Sequence, residues 1–221
     1  MSHASDATAA RIDRAIAAIR AGEPVCVHDA DDREGETDLI YPAAAVDPEA
    51  VARMRNDAGG LICVALSAEV ADAFELPFMH EALDHPTTDG DPDYDDRSSF
   101  SIPVNHRETF TGITDDDRAL TIRRLAAAAA DPEETDFAAE FRTPGHVPLL
   151  RAADSLLAER RGHTELGIAL ARAADREPAV VVSEMLDDES GAALPKDAAR
   201  EYAAANDIPY LEGARVVERL G

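Results

Sequence analysis

Pro24-Val25-Cys26-Val27-His28 and Leu39-Ile40-Tyr41-Pro42 are two short apolar runs, and between them lies the charged segment Asp32-Arg33-Glu34-Gly35-Glu36-Thr37-Asp38. Both runs have strand length and are bounded by proline, so the stretch reads as strand, charged connection, strand. Residues 61–66 and 179–182 are further apolar strand runs, and 208–211 is another. Helical periods alternate with them. Residues 6–21 place Ile12, Ile16 and Ile19 on one face, with Asp6 as cap and Gly22 as stop. Asp47-Pro48-Glu49 opens a second helix that stops at Gly59-Gly60, and 67–74 form a third. Thr114 ahead of three aspartates caps a helix to Ala130, and 164–174, 195–206 and 213–220 complete the set. Phe100, Ile102 and Val104 alternate with Ser99, Ser101 and Pro103 as a half-buried strand, which Pro103 marks as an edge. Residues 84–97, with six aspartates, and 142–151 read as loops. No repeat or Pro/Ser-rich linker divides the chain. The expectation is one α+β domain over 1–221: a mixed, twisted sheet covered by helices, of three-layer α/β/α type.

Composition narrows the partners. Forty-five acidic residues face 21 basic ones, a net charge of −24, and Lys196 is the only lysine. Such a surface repels nucleic acid and anionic membranes, so neither is an expected partner. A hydrophobic share of 45% with clear periodicity excludes an acidic disordered chain. The excess of acid fits a protein adapted to high salt, where screening removes self-repulsion. No apolar stretch is long enough to span a bilayer, and the N-terminus lacks the pattern of a signal peptide. Cys26 and Cys63 sit inside apolar runs and are expected to be reduced and buried, which places the chain in the cytoplasm.

The charged stretches carry the chemistry. Glu34, Glu36 and Asp38, spaced i, i+2, i+4 in an extended segment, point three carboxylates to one face, a costly arrangement that a divalent cation or substrate hydroxyls would relieve. Read alone, the segment is equally an ordinary solvated acidic turn. Arg160-Arg161-Gly162-His163-Thr164-Glu165 opens a helix, where free N–H groups, a hydroxyl and arginines suit a phosphate without a lysine. Its bland alternative is a threonine cap with exposed arginines. Arg142-Thr143-Pro144-Gly145-His146 forms a stiff turn holding His146, and Glu184 ends a buried strand. Neither residue is diagnostic alone.

In order, however, Asp32-Arg33-Glu34-Gly35-Glu36-Thr37-Asp38, Thr111-Gly112-Ile113-Thr114 with Asp117-Arg118, Arg142-x-Pro-Gly-His146, Arg160-x-Gly-His163-Thr-Glu165 and Ser183-Glu184-Met185 closely resemble the 3,4-dihydroxy-2-butanone 4-phosphate synthases of riboflavin biosynthesis. The likeness runs from about residue 10 to 215 and includes Gly60-Leu61-Ile62-Cys63 and the Ser98–Ser101 strand. It departs at Gly35 and Thr37, where bacterial members carry Asn and Gly, and in the acidity of 84–97. The resemblance implies a haloarchaeal-like, monofunctional lyase that converts D-ribulose 5-phosphate to L-3,4-dihydroxy-2-butanone 4-phosphate and formate. It implies Mg²⁺ or Mn²⁺ held by Glu34 and His163, with His146, Glu184 and Asp38 as acid/base groups. Arg33, Glu34, Asp38, Thr111, Arg160, Arg161, Gly162, His163, Thr164 and Glu184 would bind substrate. It further implies a homodimer with the active site at the interface. The competing readings are a metal-dependent sugar-phosphate isomerase or aldolase, a non-catalytic metal- or nucleotide-binding module, and a generic acidic halophile protein without a site.

Overall fold

The computed structural model describes residues 2–30, 33–88, 90, 95 and 97–221, and the side chains of 2–7 are not described. Asp32 and residues 89, 91–94 and 96 of the acidic loop predicted over 84–97 therefore lie outside the described residues.

Seven strands form one mixed sheet in the order β4-β5-β3-β6-β2-β1-β7. In chain order the elements are α1 (Ser2–Ala21), β1 (Val25–His28), β2 (Thr37–Pro42), α2 (Pro48–Arg53), β3 (Cys63–Leu66), α3 (Ala68–Ala73), α4 (Met79–Ala82) and β4 (Phe100–His106). There follow α5 (Asp115–Ala130), α6 (Phe137–Glu140), β5 (Phe141–Arg151), α7 (His163–Ala173), β6 (Ala179–Glu184), α8 (Lys196–Ala205), β7 (Tyr210–Glu212) and α9 (Gly213–Leu220). The central strands are apolar at nearly every position because both faces are covered. Alternate side chains go to opposite layers. Leu39, Tyr41, Val64 and Val181 join one core with α2, α5 and α8, while Ile40, Ala65, Val180 and Val182 join another with α1, α7 and α9. The three-layer expectation holds, with β3, β6, β2 and β1 at its centre.

Local signals explain most boundaries. The Asp47 carboxylate accepts the Ala50 N–H at the start of α2, and Thr114 caps α5 through the Asp117 N–H. Helix α1 starts at Ser2, four residues before Asp6, so Asp6 does not begin it. The free thiols of Cys26 and Cys63 are both buried, and burial pushes both above the usual thiol pKa.

Residues 142–151 are not a loop but most of β5, which pairs with β3 and β4. The turn expected around His146 lies inside that strand. Val104 pairs with Val147 and the next residue, Asn105, with Arg142, so Thr143 to His146 bulge out between consecutive rungs. A second register shift lies between Phe100 and Pro103. It breaks the expected alternation: Ser101 is buried, whereas Phe100 is 37% exposed.

Candidate active site

The site begins with a pairing that a sheet ordinarily avoids. Antiparallel β2 and β6 set Asp38 directly opposite Glu184, two carboxylates on neighbouring strands. Asp38 is buried and its Oδ1 has no hydrogen-bond partner. Burial raises its pKa to about 8, with Glu184, Glu34 and Glu36 adding to the effect and His163 opposing it.

Glu34 and Glu36 reach the same place by a turn rather than by strand periodicity. Strand β2 begins only at Thr37, and Gly35 takes φ +68°, a conformation glycine adopts without strain. The expectation of one extended segment is thus corrected, although all three carboxylates line one cleft of about 220 Å³. The turn is held from below by Asp29, at the end of β1, whose carboxylate accepts the Glu36 N–H (3.1 Å), the Glu34 N–H (3.3 Å) and an Arg33 N–H (3.3 Å).

Across the cleft stands His163, the first residue of α7, with Gly162 rather than Thr164 as its cap. The Nε2 of His163 donates to the Val27 carbonyl (3.1 Å), which leaves Nδ1 facing Glu34 Oε2 at 3.3 Å and Asp38 Oδ1 at 3.4 Å. Burial alone would lower the imidazole pKa, but Asp38, Glu34 and Asp29 outweigh it and push it up to about 9. His163 in turn overcomes the burial of Glu34 and holds that carboxyl below its usual value, with Arg33 and Arg160 contributing. Ligand atoms of Asp29, Glu34 and His163 all lie within 4.8 Å of one another. An imidazole fixed at one nitrogen by a backbone carbonyl, with carboxylates before the other, suits a divalent cation.

Arg33 and Arg160 converge beside this group. The Asp95 carboxylate bridges them, accepting from Arg33 and from Nε and Nη2 of Arg160 (2.7 and 2.6 Å). Glu165, fully buried in α7, accepts from Arg160 (2.8 Å), the Gly162 N–H (3.2 Å) and the Ala153 N–H (3.0 Å), fixing the loop that carries the arginine. Glu184 is steered from the Gly60-Leu61 turn, where the Leu61 N–H donates to its Oε2 (2.9 Å). Thr164, Cys63 and Ser99 complete the wall, while Arg161 is exposed and outside the lining.

His146 and Thr111 lie apart from this cleft. Neither lines it, and His146 is four residues along β5 from Leu150, which does, or roughly 13 Å at strand rise. They form a group of their own. Asn105 Oδ1 accepts the His146 N–H (2.8 Å), and its amide nitrogen lies 3.2 Å from His146 Nδ1. Gly112, next to Thr111, packs so tightly on Asn105 that a Cβ would come within 2.0 Å of its amide. Asp117 gathers the Phe110, Thr111 and Gly112 N–H groups, and these bonds, Gly112 first, keep its pKa low. Phe110 on this loop is 93% exposed.

A larger cavity of about 680 Å³ lies at the β7 edge, but among the described residues Glu212 is the one carboxylate in its lining and no histidine lines it. The carboxylates and the histidine converge instead on the smaller cleft. Sequence reasoning missed Asp29, Asp95 and Asn105. Asp29 follows directly on a buried strand, a position where ligands gather, and that signal was available. Asp95 carries no distinguishing pattern among the other acids.

A family model described as 3,4-dihydroxy-2-butanone 4-phosphate synthase matches residues 13–219. A synthase of that name from Archaeoglobus fulgidus is 50% identical, over 93% of this chain and 92% of its own length, and one from Methanosarcina mazei is 49% identical over 94% and 90%. A solved structure of such a synthase in complex with two magnesium ions superposes with a TM-score of 0.80 at 35% identity, covering 92% of this chain and 93% of that one. The family model and these relatives cover nearly the whole chain and the fold superposes on the solved synthase, so the chain belongs to the 3,4-dihydroxy-2-butanone 4-phosphate synthase family.

Proposed function

We propose that this chain performs its family's reaction, converting D-ribulose 5-phosphate to L-3,4-dihydroxy-2-butanone 4-phosphate and formate, with Glu34 and His163 holding a divalent cation. The observation that carries the reading is His163 Nδ1, aimed at Glu34 and Asp38 while its Nε2 is tied to the Val27 carbonyl. The donor set fits. Asp29 stands close enough to join it, and oxygen donors favour Mg²⁺ while the imidazole keeps Mn²⁺ in contention. Bound there, the ion would act as a Lewis acid on the substrate's carbonyl and hydroxyl oxygens.

The protein's own groups do the rest. Arg33, Arg160 and the start of α7 receive the phosphate through guanidinium groups and the His163 and Thr164 N–H groups, next to Gly162, whose own N–H Glu165 holds. Asp38, whose burial favours its neutral form, can give and take a proton within the cleft, and Glu184, anchored by the Leu61 N–H, presents a second carboxylate opposite it.

His146 and Thr111 enter as the contribution of a second copy. They form a preorganised group outside the cleft, beside the exposed Phe110 and Ile113, while Leu61 is exposed beside Glu184. A homodimer that seats one copy's 110–113 loop over the other's cleft covers these apolar side chains and completes the set of acid/base groups. Arg161, at the rim, supports the phosphate from outside the lining.

The test is formate release from ribulose 5-phosphate in concentrated KCl, with Mg²⁺ and then with excess EDTA. Formate that is metal-dependent and matched by a four-carbon phosphate supports the reading. Pentose isomerisation or aldol cleavage without formate would replace it with the isomerase or aldolase alternative.

A further inference from the structure

The phosphate seat inferred above already holds an anion from the chain itself. The Asp95 carboxylate lies between Arg33 and Arg160, taking donors from both guanidiniums, and its side chain is 12% exposed. The contact is built rather than casual. Two residues on, Arg97 pairs with Glu159 (3.5 Å) and stacks over the Phe78 ring at 4.1 Å, so the chain that presents Asp95 is anchored on its C-terminal side. The arginines are held too, Arg33 by Asp29 and Glu34, and Arg160 by the buried Glu165.

Charge makes simultaneous occupancy costly. Two guanidiniums already face the carboxylates of Asp29, Glu34, Glu165 and Asp95. A phosphate arriving at the same N–H groups would face Asp95 at contact distance, a like-charge clash in a part-buried site. One of the two anions must leave. A phosphate dianion brings more charge and three acceptor oxygens, against the two oxygens and single charge of a carboxylate.

Resting on the proposed placement of the substrate's phosphate at Arg33 and Arg160, we propose that Asp95 is a specificity determinant of that seat. Its carboxylate fills the anion position and yields to a phosphate dianion, but not to a monocarboxylate or an uncharged sugar. A ligand must break the Asp95 contacts to enter, and only a phosphate dianion recovers that cost from the two guanidiniums. Weak ligands fall below useful binding, and phosphorylated ones remain above it.

The experiment is calorimetric titration of the full chain with inorganic phosphate, and separately with acetate, at fixed KCl and a pH where phosphate is dianionic. Wild type, Asp95→Asn and Asp95→Ala are compared, with Arg160→Ala as a control for location. Removing the carboxylate is expected to tighten phosphate binding about tenfold in both Asp95 variants, since a charge-assisted contact no longer has to be broken. Measurable acetate binding is expected only in those variants, and all of it should vanish with Arg160→Ala. Phosphate affinity unchanged or weakened in both Asp95 variants would overturn the proposal and make Asp95 a support for the arginines, leaving the phosphate placement intact. Phosphate binding by none of the proteins, or binding that survives Arg160→Ala, would overturn the placement itself and the proposal with it.

Discussion

At the scale of single residues, His163 shows how a site contradicts the economy of a core. A neutral imidazole donating to Val27 would turn a lone pair toward Glu34 and Asp38, so that nitrogen attracts a positive charge, whether proton or metal ion. His163→Ala and Glu34→Gln are each expected to weaken Mg²⁺ binding by at least the ~10–100-fold that loss of a supporting group costs, read by calorimetry. Gly162 offers a subtler probe. A Cβ there would meet Arg160 Nη1 at 2.6 Å and Arg33 Nη1 at 2.9 Å, the far ends of flexible side chains. Gly162→Ala should therefore leave the melting temperature within a few degrees of wild type yet raise the KM for the phosphorylated substrate several-fold. Steady-state kinetics beside a thermal melt would check both. Glu34, Asp38, His163 and Glu184, ambiguous one by one in the sequence and singled out by the order of their motifs, do line one cleft. Asp95 was not singled out, since its role depends on two arginines 62 and 65 residues away in sequence.

Among the elements, β6 was legible and β5 was not, for opposite reasons. Ala179–Val182 is apolar throughout and packs on both faces, whereas β5 is interrupted by Thr143-Pro144-Gly145, the residues that mark a turn. A bulge that leaves the ladder and returns to it cannot be told from a loop by pattern alone. The clean alternation expected of β4 failed similarly, at an irregular register with β5 that only the partner strand defines. His106, at the end of β4, gives this region a pH signature. It is buried with its ring edge-on to Phe141 at 5.4 Å, and burial followed by Arg124 lowers its pKa below 6.5, against the opposing pull of Glu108 and Glu140. In the unfolded chain it takes up a proton near 6.5, while in the folded chain it resists doing so. Folding is therefore unpenalised above that pH and loses stability as the pH falls below it. Urea midpoints at about pH 7.5 and about pH 5.5 should fall further for wild type than for His106→Gln, the difference being this residue's share.

For the whole molecule, charge and assembly decide behaviour. At −24, self-repulsion is long-ranged when the Debye length is about 10 Å and local when concentrated salt brings it to about 3 Å. The melting temperature is expected to climb steadily as KCl rises from about 0.1 M to above 1 M, and a flat profile would remove the halophilic reading. No helix among the described residues is long and apolar enough to cross a membrane, and the exposed Phe110 is the apolar side chain that the proposed dimer would cover. Phe110→Asp is expected to shift the sedimentation of the chain from the proposed dimer to monomer and to remove most activity while leaving Mg²⁺ binding in place.

The strand order also fixes when the catalyst comes into being. β1 and β2 are made early, but β2 pairs on its other side with β6, and β3 is bounded by β5 and β6. Glu34 and Asp38 are thus synthesised some 125 residues before the His163 that faces them. Folding must wait on pairings of long sequence separation, which are slow to close. Capture of the proposed cation would then be a late event in the life of each molecule, and a chain cut short before β6 would carry the motif without being able to use it.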